Sequence, residues 1–169
     1  LGYQALRTKA GKNLVDTVIL RTPIAGPIVK KVNTAFFART MSSLIGAGIP
    51  MVRALEVTAT VLGNTHFRKV LRKGAEEMRK GVKLSEILSQ HTNLYPIVVV
   101  QMIEVGEETG QTSDLLAKLA DFFEEEVTNI TKNLASIIEP VLMLIIGAIV
   151  GFFAISMIQP MYSMLSGVQ

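Results

Sequence analysis

TSDLLAKLADFFEEEVTNITKNLASIIEP, residues 112–140, runs directly into VLMLIIGAIVGFFAISMI, residues 141–158. The first segment repeats apolar residues at helical spacing among charged ones, from Leu115, Leu116 and Leu119 through Phe122, Phe123, Val127 and Ile130 to Leu134 and Ile137. The second has no charged side chain. As a helix it covers about 27 Å, close to the roughly 30 Å hydrocarbon core of a bilayer. A core helix of a soluble protein would carry a polar stripe over that length, and this run has none. Its C-terminal position excludes a signal peptide. Pro140 stands where a helix starts or kinks, Gln159 and Pro160 close the run, and Tyr162 falls where an interfacial aromatic belongs. The pattern predicts a transmembrane helix over 140–160. A long amphipathic helix leads into it almost unbroken, starting at Thr112 or Ser113 with Asp114 at its positive end. Within the run, Gly147 and Gly151 form a GxxxG pair that lets another helix approach closely.

Working outward, the remaining composition fits a helical protein with one membrane-seeking part. The 169 residues are one domain's worth of chain, 49% hydrophobic and only 18% charged, without cysteine or tryptophan. Disulfide scaffolds, zinc fingers and thiol chemistry are thereby excluded, as are disorder and collagen. The net charge of +3 hides a gradient: +6 over residues 1–39, +4 over 40–100, −7 over 101–139, and none from Pro140 on. A basic N-terminal stretch suits nucleic acid or anionic lipid. No nucleic-acid motif or interleaved aromatics accompany it, so lipid proximity is the better reading, with the N-terminal part in the cytoplasm and the tail outside. The chain begins at Leu1 rather than Met, which reads as a fragment or a processed product.

Helix punctuation recurs before Pro140. Asn33 and Thr34 precede a helix with Phe36, Phe37, Met41, Leu44 and Ile45 on one face, ended by Gly46-Ala47-Gly48. Pro50 opens Met51–Leu62, stopped by Gly63-Asn64; a third helix runs from Thr65 to Lys80 and ends at Gly81. A short fourth spans Glu86–Gln90, and a fifth runs from Pro96 to Glu108 before Gly110, although IVVV at 97–100 favours strand in isolation. With the helix from Thr112, these make an all-α protein: an antiparallel six-helix bundle followed by a C-terminal transmembrane helix. The corresponding division is a basic juxtamembrane segment at 1–31, a cytoplasmic bundle at 32–139, the span at 140–160, and a short non-cytoplasmic tail at 161–169.

Little here can do chemistry. The two histidines, His66 and His91, do not complete the Glu-x-x-His pairs of a bundle di-metal centre. Glu104, Glu107 and Glu108, with Glu124 on the next helix, leave a hard-cation site open as an alternative, against the plainer reading of a solvated acidic face. Gly11-Lys12 lacks the rest of a phosphate loop, and neither GxSxG nor HExxH occurs. No catalytic, cofactor or metal residue is therefore assigned, and no enzyme is expected.

Seven short stretches carry a resemblance: FFARTMSSL (36–44), AGIP (47–50), GVKLSE (81–86), YP (95–96), VGEETG (105–110), LADFFEEEV (119–127) and EP (139–140). In this order they resemble the type II secretion system protein F family, the inner-membrane platform proteins of secretion systems and type IV pili. The resemblance covers about Ile24 to Tyr162. It implies the second of two similar cytoplasmic helical domains plus the last of about three spans in a bacterial inner membrane. RTxxGK at 7–12 and PIAGP at 23–27 resemble the segment after the preceding span. The implied partners are an assembly ATPase, pilin or pseudopilin subunits and other inner-membrane assembly proteins, with lipid around the span, a homo-oligomeric state and no cofactor. IQPMY at 158–162 leans toward the pilus-assembly members. The motif residues singled out are Arg39, Gly106, Glu107, Glu108, Thr109, Gly110, Glu139 and Pro140. Gly106 admits a close backbone or a bend, Gly110 admits a left-handed cap, and Glu107 with Glu108 is expected to hold Arg39 or to face a basic partner. Glu139, beside the start of the span, is costly unless interfacial or paired. A passive membrane-anchored adaptor is the remaining alternative.

Overall fold

The computed structural model describes the backbone of residues 9–23 and 25–166, and the side chains of 13, 15–23, 25–133, 139, 140 and 142–155. Among these, all regular structure is helical: α1 (Lys9–Arg21), α2 (Ala25–Gly46), α3 (Met51–Val61), α4 (Thr65–Met78), α5 (Leu84–Ser89), α6 (Ile97–Thr109) and α7 (Thr112–Ser166). The chain forms two compact units, Leu1–Thr128 and Asn129–Gln169.

In the first unit most helices pack on their chain neighbours, and α1 packs on both α2 and α4. The start of the bundle differs from expectation. A helix occupies Lys9–Arg21, and α2 begins at Ala25, well ahead of Asn33 and Thr34. Pro27 falls in the first turn of α2, where its missing N–H costs nothing. Asn33 does not cap a helix; it is buried mid-helix as a strut. Its Nδ2 donates to the Val29 carbonyl at 2.8 Å, and its Oδ1 accepts from the Asn64 backbone N–H at 3.2 Å. The Asn64 side chain in turn caps α4 by accepting from His66 N at 2.9 Å. Asp16 on α1 adds a second tie, accepting from the Thr65 N–H at 2.8 Å and from the Thr65 hydroxyl.

The core forms where these helices meet. Phe37, Phe67 and Tyr95 are fully buried and pack edge to face, with ring centroids 5.2 Å (Phe37–Tyr95) and 5.0 Å (Phe67–Tyr95) apart. Burial pushes the Tyr95 phenol well above its ordinary pKa, and its hydroxyl has no partner among the described residues. Residues 97–100 are helical despite their β-branched composition. Val99, Val100, Ile103 and Gly106 repeat at helical spacing into the core, and that packing outweighs the strand preference. Phe36 was expected on the same apolar face as Phe37 but is 62% exposed, because adjacent helical residues point about 100° apart. The pair Phe122 and Phe123 divides likewise, with only Phe123 buried. Leu116, Leu119, Ala120 and Phe123 bring the first turns of α7 into the core.

In the second unit α7 continues as helix across Pro140 to Ser166. From Leu142 to Ile155 its large apolar side chains are exposed in every direction. Among the described residues no helix is long and apolar enough to cross a membrane. The expectations that rest on the side chains of Val141, Ser156–Pro160 and Tyr162 lie outside the described set, as does the tail beyond Ser166.

Candidate functional site

The stretch 105–110 ends α6 and turns the chain into α7. Gly110 closes the helix with φ +73°, the left-handed conformation in which a side chain is strained. Thr109 donates its hydroxyl back to the Val105 carbonyl at 2.7 Å. Gly106 is buried against the start of α7, and a Cβ there would stand 2.9 Å from the Thr112 Cα. Of the two roles foreseen for Gly106, close backbone approach is the one observed.

Glu107 corrects an expectation. It does not hold Arg39; its carboxylate reaches the start of α5, whose N-cap residue Lys83 supplies no capping group. Oε1 accepts from Leu84 N at 2.7 Å, and Oε2 accepts from Ser85 N at 3.2 Å and from the Ser85 hydroxyl at 2.6 Å. The reason is supply and demand: the first turn of a helix leaves N–H groups unpaired, and its partial positive charge favours a carboxylate. The motif glutamate is thus a remote cap that ties α6 to α5. Glu108 is exposed.

Arg39 on α2 pairs with α7 instead. Its Nε donates to Glu124 Oε1 and its Nη2 to Glu124 Oε2, both at 2.8 Å, while Nη2 also reaches Asp121 Oδ1 at 2.5 Å. This is the two-pronged guanidinium–carboxylate geometry that lysine cannot reproduce. Each partner stabilises the other's charged form. Hydrogen bonding to Glu124 and then to Asp121 raises the Arg39 pKa, and hydrogen bonding to Arg39 lowers that of Glu124. Two turns earlier on α2, Lys31 pairs with Glu126. Higher up, Ser113 Oγ donates to the Ser42 carbonyl at 3.1 Å. The acidic stripe of LADFFEEEV is therefore an inter-helix seam. The four carboxylates considered for a cation are not gathered, since Glu107 is engaged at α5 and Glu124 at Arg39. Among the described residues no group of three or more candidate ligands converges.

Glu139 and Pro140 are exposed on the continuous helix α7, which passes through Pro140 rather than starting there. A Cβ added to Gly147 or Gly151 would meet no atom within 4 Å among the described residues. Sequence reasoning missed the Asp16–Thr65 and Asn33–Asn64 ties. Asn64 read as a helix stop, and only its neighbour across the bundle reveals it as a cap.

A family model described as "Type II secretion system (T2SS), protein F" matches residues 37–160, which includes both the Glu107 cap and the Arg39 seam. The chain belongs to this family. Among curated protein F relatives, it is 37% identical over 163 residues to the "Type IV pilus assembly protein PilC" of Myxococcus xanthus, covering 96% of this chain and 39% of that one. It is 34% identical over 158 residues to the protein of the same name from Pseudomonas aeruginosa, covering 94% and 42%. With the "Type II secretion system protein F" of Pseudomonas aeruginosa it shares 30% over 165 residues, covering 97% and 40%. The chain thus spans about two fifths of the length of the curated relatives it matches.

Proposed function

We propose that this chain is the C-terminal part of a non-enzymatic platform protein of a bacterial inner membrane, serving type IV pilus assembly or type II secretion. In this reading the first unit lies in the cytoplasm and receives conformational work from an assembly ATPase, and α7 carries that work to pilin or pseudopilin subunits in the bilayer. Family membership supports the system. The observation that carries the mechanism is α7, a single helix whose first turns are locked into the bundle core and whose later residues 142–155 are apolar on all sides. A helix apolar all round needs a non-aqueous neighbour, and the uncharged run 141–158 has the length of a span. Higher identity to the two PilC relatives than to the secretion relative favours pilus assembly.

The test separates coupling from passive anchoring. A flexible Gly-Ser insertion after Asn129, placed in the full-length parent protein in cells, leaves membrane insertion intact and abolishes pilus assembly or secretion if α7 transmits work. Normal assembly with that insertion would identify a passive adaptor. ATP hydrolysis by the purified full-length protein alone would overturn the non-enzymatic reading.

A further inference from the structure

Between α1, α2, α4 and the turn after α5 lies a cleft of about 240 Å³. Arg21 from α1, Lys30 from α2 and His66 from α4 line it, with the Asn93 amide and the Thr17 hydroxyl. Leu20 and Leu94 form apolar wall, which lowers the local dielectric and strengthens charge there.

Like several other surface cations, Arg21 and Lys30 have no ion-pair partner among the described residues; what sets them apart is that they line one cleft. The nearby carboxylate on α1, Asp16, is committed to Thr65. His66 is also held in place. Thr17 Oγ1 donates its single proton to the Asn13 carbonyl at 2.6 Å, so toward His66 Nε2, 2.9 Å away, it accepts. Nε2 therefore carries a proton. The cleft thus gathers two cations without an ion-pair partner among the described residues, a fixed ring and amide donors, a set matched to the oxygens of a compact polyvalent anion. Its volume is below the roughly 300–1,000 Å³ of pockets that enclose drug-sized ligands. That limit favours one phosphate-sized group over a nucleotide.

We propose that this cleft binds a single phosphate group, supplied either by a free phosphate or by the headgroup of an anionic phospholipid. The two sources are separable with the full 169-residue chain in an uncharged detergent, following the His66 ring resonances by NMR. Inorganic phosphate, dilauroyl phosphatidylglycerol mixed into the micelles, and dilauroyl phosphatidylcholine as the zwitterionic control, whose choline cation offsets its phosphate, are titrated in turn. Saturable shifts with inorganic phosphate assign a soluble ligand. Shifts with phosphatidylglycerol alone, and none with phosphatidylcholine, assign a headgroup. In either case Arg21→Gln and Lys30→Gln each weaken binding about tenfold, while Arg53→Gln, outside the cleft, leaves it unchanged. Unaltered circular dichroism certifies that the variants fold. No saturable shift with either phosphate source overturns the proposal. So does binding that Arg21→Gln, Lys30→Gln and Arg53→Gln weaken equally.

Discussion

Two stretches of this chain are rich in the same large apolar side chains and use them in opposite ways. Between Ala35 and Phe123, Phe37, Leu55, Phe67, Leu71 and Leu116 are fully withdrawn from solvent. Between Leu142 and Ile155, every described large apolar side chain is half exposed or more, up to 75% at Leu144 and 71% at Phe152. Their large apolar residues do not separate the two; the presence and spacing of charged residues do. In the first unit apolar residues recur on one face and polar ones on the other, so helices close on one another. Between Leu142 and Ile155 no face is polar, and a single helix cannot bury its own surface.

Substitutions can break that contrast, and the largest effect is expected in the core. Phe37→Ala removes one ring of the aromatic trio and should destabilise the first unit by about 3–5 kcal/mol. Phe152→Ala should leave its melting temperature unchanged, because that ring is 71% exposed and buries little apolar surface. Thermal unfolding of the two variants in detergent checks this; equal losses would erase the distinction between the units.

Glycines sharpen the same comparison. Gly106→Ala places a methyl 2.9 Å from the Thr112 backbone and should cost about 1–3 kcal/mol. Gly147→Ala meets nothing within 4 Å and should be neutral in the isolated chain. A loss with Gly147→Ala only at concentrations where the chain self-associates would locate a helix-packing face in the second unit.

Next in size is the cap of α6. Gly110→Val forces a branched residue to φ +73° and should destabilise by about 1–2 kcal/mol, whereas exposed Glu108→Ala should be silent. Indistinguishable melting temperatures would remove the left-handed cap from the account. Glu107→Ala should cost about 1 kcal/mol, as the loss of a helix cap does, and should speed hydrogen exchange at Leu84 and Ser85 first. Uniform exchange across the bundle would argue against a local capping role.

The smallest effect belongs to the seam. Arg39 depresses the Glu124 pKa in the folded state, so this pair's contribution is present above the ordinary carboxylate range and fades as pH falls through the lowered value. The gap in melting temperature between the wild type and Glu124→Gln should therefore be open at neutral pH, close in acid, and narrow with added salt. A gap constant from neutral to strongly acid pH would mean that charge pairing is not its source.

Helix class and most breaks are legible in the sequence, because Pro50, Pro96, Gly81 and Gly110 act on the backbone locally. The close-approach role of Gly106 was legible as one of two possibilities. The partners of Glu107 and Arg39 were not. A carboxylate's charge is visible in the sequence, but its partner depends on which helix end lacks N–H acceptors and lies within reach. Asn33 failed for the same reason. Its side chain suits a cap, yet burial beside the Asn64 N–H put it mid-helix.

The all-helical class, the uncharged C-terminal run and the protein F motifs depend on residue spacing along one chain and are written there. It takes the folded arrangement to bring Glu107 to the start of α5, Arg39 to Glu124 and Asp121, and Arg21, Lys30 and His66 into one cleft. Those pairings join residues far apart in the chain, and packing, rather than sequence separation, decides which polar groups meet.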